Sequence, residues 1–163
     1  MAATSTDGIA LEKLAAMFNA SATFNAEATG TNHIHFGDIS DFANQAVTPR
    51  PCVLLMIDDD NAVLIAGGDQ NFLRSHGRIG FKVFRNNPTG ATTQNEIYID
   101  QLDFISKVLA EVHAQAGDDD NLGITRIVLD VFGEAAEEYW ETLGRFYETS
   151  GWIHWGDEDF RRG

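Results

Sequence analysis

The sequence predicts a single α+β domain in which a mainly antiparallel sheet packs against one long helix and a short N-terminal helix. Apolar runs of strand length, separated by turn residues, occur in the central and C-terminal parts of the chain. One long segment after residue 93 repeats apolar residues at helical spacing. The chain has 163 residues, of which 44% are hydrophobic, and no linker-like tract divides it. We therefore expect one domain over 1–163 with a core of its own.

The N-terminal segment is predicted to form a short helix over Ile9–Phe18, with Asp7 placed to cap it. Its apolar face comprises Leu11, Leu14, Ala15 and Phe18. The segment 19–49 that follows is polar, poor in β-branched residues and interrupted by glycines, so we expect an extended arm or a long loop there. Connections of this length tend to be functional or to become ordered against a partner.

The centre of the chain is predicted to be a three-strand meander. The apolar runs Cys52–Ile57 and Ala62–Ala66 flank the turn Asp58–Asn61 and suggest a hairpin of buried strands. A third strand is expected over Leu73–Phe84, because its residues alternate between two faces. The apolar face comprises Leu73, Ile79, Phe81 and Val83, and the other face comprises Arg74, His76, Arg78 and Lys82.

A long helix is predicted to begin after Thr93, because Thr93 and Glu96 have the spacing of a capping box. Gly117 is placed to end this helix. Its expected apolar stripe comprises Tyr98, Leu102, Ile105, Leu109 and Val112.

The C-terminal third is predicted to add two or three strands to the sheet. Ile124–Phe132 is β-branched and apolar enough to be a strand. Glu134–Leu143 has no decisive periodicity, so a short helix and an irregular connection both remain open. Arg145–Tyr147 and Trp152–Trp155 suggest a hairpin around the turn Glu148–Gly151.

Composition excludes several classes of function. Eleven Lys and Arg against twenty-five Asp and Glu give a net charge of −14, which opposes the binding of nucleic-acid phosphate as the main task. Cys52 is the sole cysteine, so no internal disulfide forms, and we expect it to be a small core residue. No secretory signal or membrane span is apparent, so the sequence favours a soluble, unexported protein with no membrane contact.

No motif in the sequence indicates catalysis, a metal or a cofactor. The acidic runs Asp58–Asn61 and Asp118–Asn121 lack the ligand spacing of a calcium loop. His33 and His35 would share one face of an extended segment, but no third metal ligand lies nearby in sequence. Nucleophile elbows and phosphate-binding loops are also absent from the sequence. We therefore predict a protein that is not an enzyme and needs no cofactor.

One charged cluster stands out in this acidic chain. Arg74, Arg78, Lys82 and Arg85 are four of the eleven basic residues and lie within twelve positions. They are either ordinary charges on a solvent-facing strand or one side of a head-to-tail interface between copies of the chain. The candidate interface residues are Arg74, His76, Arg78, Lys82 and Arg85 on the basic side, Glu134, Glu137, Glu138 and Glu141 on the acidic side, and Trp152 and Trp155.

The order of elements resembles the tail terminator proteins of long-tailed bacteriophages. The resemblance spans roughly residues 8–155 and comprises an N-terminal helix, a polar arm, the run Pro51–Ile57, the strand Gly77–Phe84, the turn Asn87–Gly90, the helix from Gln94 and a strand that begins near Gly123-Ile124. The chain departs from that family in its longer arm before Pro49 and its tryptophan-rich C-terminal end.

The resemblance implies a virion structural protein, made in the host cytoplasm and located in the tail neck. Such a protein would form a homo-oligomeric ring, expected to be a hexamer, that caps the tail tube protein and joins it to the head-side connector protein. DNA would pass through the lumen without specific binding. The acidic composition is compatible with this role, because a negative wall repels phosphate.

Three other functions remain open at this stage. The first is a neighbouring head-tail connector or head-completion protein. The second is a small cytoplasmic enzyme that uses Asp58, Asp118 and His76. The third is an acidic adaptor that binds a host protein, for which only the net charge argues.

Overall fold

The described part of the protein consists of one layer of helices and one layer of strands. The structure is a computed structural model, and it describes residues 6–28, 33–37, 50–57, 65–66, 72–73, 76–117, 122–135 and 146–156. The helices are α1 (Thr6–Asn19), α2 (Ala22–Glu27) and α3 (Gln94–Ala114), which continues into a 3-10 turn at Gln115–Gly117. The strands are β1 (Ile34–Phe36), β2 (Cys52–Ile57), β3 (Ile65–Ala66), β4 (Phe72–Leu73), β5 (His76–Asn86), β6 (Ile124–Ala135) and β7 (Phe146–Gly156).

Five of the strands form one sheet in the order β1-β2-β5-β7-β6. All neighbouring pairs are antiparallel except β1 and β2, which are parallel. Strands β3 and β4 pair with each other in a separate two-stranded ladder. The α+β class with a mainly antiparallel sheet, a long helix and a short N-terminal helix is therefore confirmed.

The predicted central hairpin is not formed. Strand β2 pairs with β5 along its whole length, from Cys52 opposite Phe84 to Ile57 opposite Ile79. The end of the expected second strand, Ile65–Ala66, pairs with β4 instead. Strand β5 has eleven residues, so its backbone can pair with all six residues of β2. The predicted strand Ala62–Ala66 has only five residues and would leave part of the β2 backbone without a hydrogen-bond partner.

The predicted C-terminal hairpin is also wrong, because Phe146–Gly156 is one continuous strand. The segment Glu148–Gly151 has the composition of a turn, yet it lies in the middle of the sheet between β5 and β6. Gly151 is needed there for a different reason: a Cβ at this position would lie 1.9 Å from the carbonyl oxygen of Val128. A close approach of two strands, and not a turn, requires this glycine.

The expected arm 19–49 contains both a helix and a strand. Ser21 caps α2 by accepting a hydrogen bond from the backbone N–H of Phe24, and the Phe24 side chain is fully buried. Strand β1 follows and pairs with β2. These elements have six and three residues, which is too short for a periodic pattern to be visible in the sequence.

The main core lies between the helices and one face of the sheet. Buried side chains of β2, β5 and β7, such as Leu55, Phe81 and Ile153, pack against buried residues of α1 and α3, such as Phe18 and Phe104. The opposite face of the sheet is also buried in part, at Cys52, Leu54, Phe84 and Phe146. Burial on both faces explains the unbroken apolar run of β2.

The two helices predicted from the sequence are present. The capping box of α3 forms as expected, with the Thr93 hydroxyl accepting from the N–H of Glu96 at 3.2 Å and the Glu96 carboxylate accepting from the N–H of Thr93 at 3.2 Å. Helix α1 begins at Thr6, so Asp7 lies in its first turn and is not the cap residue. A carboxylate in the first turn still favours the positive end of the helix dipole.

Glu111 of α3 anchors the start of α2. Its carboxylate accepts hydrogen bonds from the Ser21 hydroxyl at 2.5 Å, the Thr23 hydroxyl at 2.6 Å and the Thr23 N–H at 3.0 Å. These hydrogen bonds hold the pKa of Glu111 below its usual value of 4.5. The ionised carboxylate therefore stabilises the fold.

We expect Glu111→Gln to lower the free energy of unfolding by about 1 kcal/mol at pH 7, because the amide accepts hydrogen bonds less strongly than a carboxylate. A lowered pKa contributes stability above the unfolded-state pKa, and that contribution is lost as the pH falls through the folded-state value. The difference from wild type should therefore shrink below pH 4.5. Urea unfolding at several pH values tests this, with the exposed Asp103→Asn as the control.

Candidate functional site

Strand β5 divides the predicted basic stripe between the two faces of the sheet. Arg78 and Lys82 lie on the face away from the helices, as expected. Arg85 has the same parity as Ile79, Phe81 and Val83 and therefore lies on the helix face. His76 is the first residue of β5, and Arg74 lies outside the described residues.

Arg85 is buried, with 8% of its surface exposed, and it joins three elements inside one subunit. Its guanidinium pairs with Glu27 of α2 and donates to Asp100 Oδ2 at 2.6 Å and to Gln101 Oε1 at 3.1 Å in α3. It also lies 4.2 Å above the ring of Phe104. Burial acts to lower the pKa of Arg85, but hydrogen bonds and charges from Glu27 and Asp100 offset this and raise it. Arg85 is therefore a structural charge and not a contact offered to a neighbour.

A basic and aromatic patch lies at one end of the face away from the helices. Arg78 stacks on Trp152, with 5.1 Å between the guanidinium carbon and the ring centroid. Arg78 and Arg126 lie in register on either side of His154. Arg126 Nη2 is 3.3 Å from His154 Nε2, and the guanidinium must donate because it has no acceptor. We call Arg78, Arg126, Trp152 and His154 the basic patch.

Lys82 lies on the same face, but its charge is paired with a carboxylate of the same chain. Its ammonium is 3.5 Å from Glu148 Oε1 on the neighbouring strand β7. The sequence prediction thus identified Arg78 and Trp152 of the basic patch and missed Arg126 and His154. Only the register of β5, β7 and β6 brings those residues into one row.

The remaining predicted interface residues have different outcomes. Trp155 is buried in the main core, with 6% of its surface exposed, so it is not accessible to a neighbour. Glu134 lies in β6, opposite Tyr147 of β7. Glu137, Glu138 and Glu141 lie outside the described residues, as do the acidic runs Asp58–Asn61 and Asp118–Asn121. The predicted acidic side of the interface is therefore not brought together within the described part of the chain.

Helix α3 carries more apolar surface than the core of its own subunit uses. Ile105, Leu109 and Val112 of the predicted stripe are buried, whereas Tyr98 and Leu102 are 48% and 40% exposed. The Tyr98 ring packs edge-on against Phe132 of β6, with 5.1 Å between the ring centroids. The exposed side of the stripe therefore borders β6.

An apolar groove runs between α3 and the outer edge of β6. Its volume is about 450 Å³, and it is lined by Leu109, Ala110, His113, Ala114, Ile127 and Leu129. Leu129 is 46% exposed. Since β6 is an edge strand among the described strands, the groove lies directly beside a row of backbone hydrogen-bonding groups that no other described strand pairs with. We call Leu129, the groove and this edge the β6 flank.

The other edge of the sheet also carries an exposed apolar side chain. Strand β1 is the last strand on that side of the described sheet, and Phe36 in it is 47% exposed. The two edges differ in length and surroundings, because β1 has three residues and β6 has twelve.

No group of three or more His, Cys, Asp or Glu side chains among the described residues is able to hold a metal ion. His33 is buried, and its Nδ1 lies 2.7 Å from the Pro51 carbonyl oxygen, to which it must donate. A polar cavity of about 340 Å³ is lined by charged groups of Glu27, Arg50 and Arg85, but the described residues around it include no histidine or cysteine.

Burial also makes Cys52 a poor nucleophile. The thiol is fully buried in β2, and this burial raises its pKa to about 12 in spite of the opposing charge of Arg50. We expect no reaction with a thiol reagent in the native protein at pH 8 and one reactive thiol per chain after unfolding in guanidinium chloride. A native titre near one thiol would show that this strand is accessible.

Comparison with models of known protein families gives no match for this chain, and comparison with curated protein sequences gives no relative. None of the helices in the described ranges has the length and apolar composition needed to cross a membrane.

Proposed function

We propose that this chain is a non-enzymatic structural protein that assembles head to tail into a closed ring. The observation that carries the proposal is the presence of two different apolar edges on one sheet, with Phe36 exposed at β1 and Leu129 beside the groove at β6. Contact between two unlike surfaces is heterologous, and it closes into a ring when the rotation per subunit allows.

Strand β6 has no partner among the described strands on its outer side. Edge strands with apolar neighbours promote uncontrolled pairing with other chains, and folded proteins usually blunt or cover them. Strand β6 has register shifts next to Arg126 and Val131, which interrupt its ladder with β7, yet Leu129 between them remains exposed. A neighbouring subunit that covers this edge would remove the apolar surface from water.

The place of the ring in a virus particle rests on the resemblance to tail terminator proteins. On that basis the ring is a hexamer in the neck of a long-tailed phage. It ends growth of the tail tube and presents a surface to the head-side connector, and DNA passes through its lumen without specific binding. The net charge of −14 suits such a lumen, because an acidic wall does not retain phosphate.

We expect Leu129→Asp to prevent ring formation while leaving the subunit folded, because a carboxylate at the edge is hydrated in the monomer and would be desolvated in the interface. Native mass spectrometry should give about 107 kDa for six wild-type chains of 17.9 kDa and a single-chain mass for the variant. Ala16→Asp, on the exposed face of α1, adds the same charge and should leave the ring intact. A wild-type chain that is monomeric at micromolar concentration would rule the ring out.

The partner distinguishes a terminator from a neighbouring connector. A terminator should bind tail tubes in the absence of heads, whereas a connector protein should copurify with the portal-side adaptor. Pull-down of the wild-type ring with purified tubes and with purified heads separates the two functions.

A further inference from the structure

We infer that each copy meets the β6 flank of its neighbour with its own strand β1, which adds to β6 as an antiparallel strand and seats Phe36 in the apolar groove beside Leu129. The inference rests on the proposed ring and names the two surfaces that would form it. The occupant of the groove is thus a second copy of this chain.

Strand polarity supports this pairing. Strand β1 runs parallel to β2, and each of the next three steps across the sheet, to β5, β7 and β6, reverses direction. Strands β1 and β6 of one copy therefore run in opposite directions. If neighbouring copies are related by a rotation about an axis that runs along the strands, each strand keeps its direction from one copy to the next. Strand β1 of the next copy then lies antiparallel to β6, and an antiparallel pair is more stable than a parallel one.

The exposed side chains also lie on the same face of the sheet. Phe36 pairs in register with Leu55, which belongs to the main core on the helix face. Leu129 and Ile127 line the groove together with residues of α3, so they also project toward the helix layer. If the sheet continues from one copy into the next, Phe36 enters on the face where the groove lies.

The groove and the phenyl ring complement each other in size and polarity. An aromatic side chain buries about 150–250 Å² when it leaves water, and Phe36 is 47% exposed in the single chain. The groove of about 450 Å³ has room for that ring, and five of its six lining residues are apolar. A two-fold pairing of β6 with β6 would cover the groove but would leave Phe36 and β1 exposed.

Cysteine pairs test the inference directly, since the natural Cys52 is buried. Phe36→Cys and Leu129→Cys are prepared as separate variants, mixed, allowed to exchange subunits and treated with a short thiol-to-thiol cross-linker. Opposed residues on neighbouring strands lie about 5 Å apart between Cβ atoms. We expect cross-linked dimers in the mixture, none in either variant alone, and a ladder of cross-linked species from the double variant.

Three results would overturn the inference. Dimers from Leu129→Cys alone would show that β6 pairs with β6. A ring that forms in the mixture by native mass spectrometry but is not cross-linked would exclude this contact while leaving the proposed ring in place. A monomeric wild-type chain would exclude both.

A second measurement does not depend on cysteine substitutions, which could themselves weaken the interface. Phe36→Ser should raise the subunit concentration at which the ring dissociates by at least tenfold. His35→Ser, which changes the neighbouring residue on the opposite face of β1, should leave it unchanged. Equal effects of the two substitutions would contradict the inference.

Discussion

Replacing Gly151 with alanine is expected to destabilise the fold strongly. The new Cβ would lie 1.9 Å from the carbonyl oxygen of Val128 and 3.0 Å from the Cα of Leu129. Both contacts are with backbone atoms of β6, so no side-chain rotation relieves them. We expect a loss of at least about 3 kcal/mol in the free energy of unfolding, because β6 must separate locally from β7.

Gly80→Ala is the matched control. It adds the same methyl group to the neighbouring strand β5, but there the new atom meets the side chain of Met56 at 3.0 Å, and that side chain can adjust. Its cost should be about 1 kcal/mol or less. Urea unfolding followed by tryptophan fluorescence at one fixed chain concentration compares the two variants, and equal midpoints would show that β6 and β7 are not so closely apposed.

Arg85→Met is expected to produce the second largest loss, about 2–4 kcal/mol. Methionine keeps the apolar contact with Phe104 but removes the charge that Glu27 and Asp100 share. It also leaves Gln101 Oε1 without the guanidinium donor. The side chains of Glu27 and Asp100 are 39% and 46% exposed, so water compensates for part of the loss.

Arg126→Met is the control for the loss of a strand arginine. Arg126 is exposed and contacts His154, so its replacement should change the free energy of unfolding by less than about 0.5 kcal/mol. If Arg85→Met is no more destabilising than this control, Arg85 is not the charge that joins α2 and α3 to the sheet.

The features that were predicted correctly depend on residues close together in the sequence. The start of α3 is an example, because Thr93 and Glu96 satisfy each other's backbone groups across three positions. The existence of β2 and the inward face of β5 also follow from local apolar patterns. Short apolar runs define strands but contain no information about which strand lies beside them.

The errors in the fold arise from contacts between distant residues. The composition of Glu148–Gly151 is that of a turn, but Glu148 pairs with Lys82 and Gly151 admits the backbone of β6. Helix α2 is stabilised by packing and by Glu111, which is 88 residues from Thr23, and strand β1 is stabilised by its pairing with β2. Propensity alone does not identify elements of this length.

The face on which Arg85 lies could have been predicted from the sequence, but its hydrogen-bond partners could not. The period of two along β5 already placed it on the face of Ile79 and Val83. What makes a buried arginine tolerable there is the pair of carboxylates from Glu27 and Asp100, 58 and 15 residues away. The β6 flank could not be predicted from the sequence for the same reason: the groove exists only because the fold places Leu129 of β6 beside Leu109 and Ala110 of α3.

Electron microscopy of tail tubes assembled with and without this protein tests whether the chain forms a ring that ends tube growth. We expect tubes of one length with a ring at one end when the wild-type chain is present, and tubes of variable length without a ring when it is absent or carries Leu129→Asp. Tubes whose length and ends are the same in all three samples would contradict it.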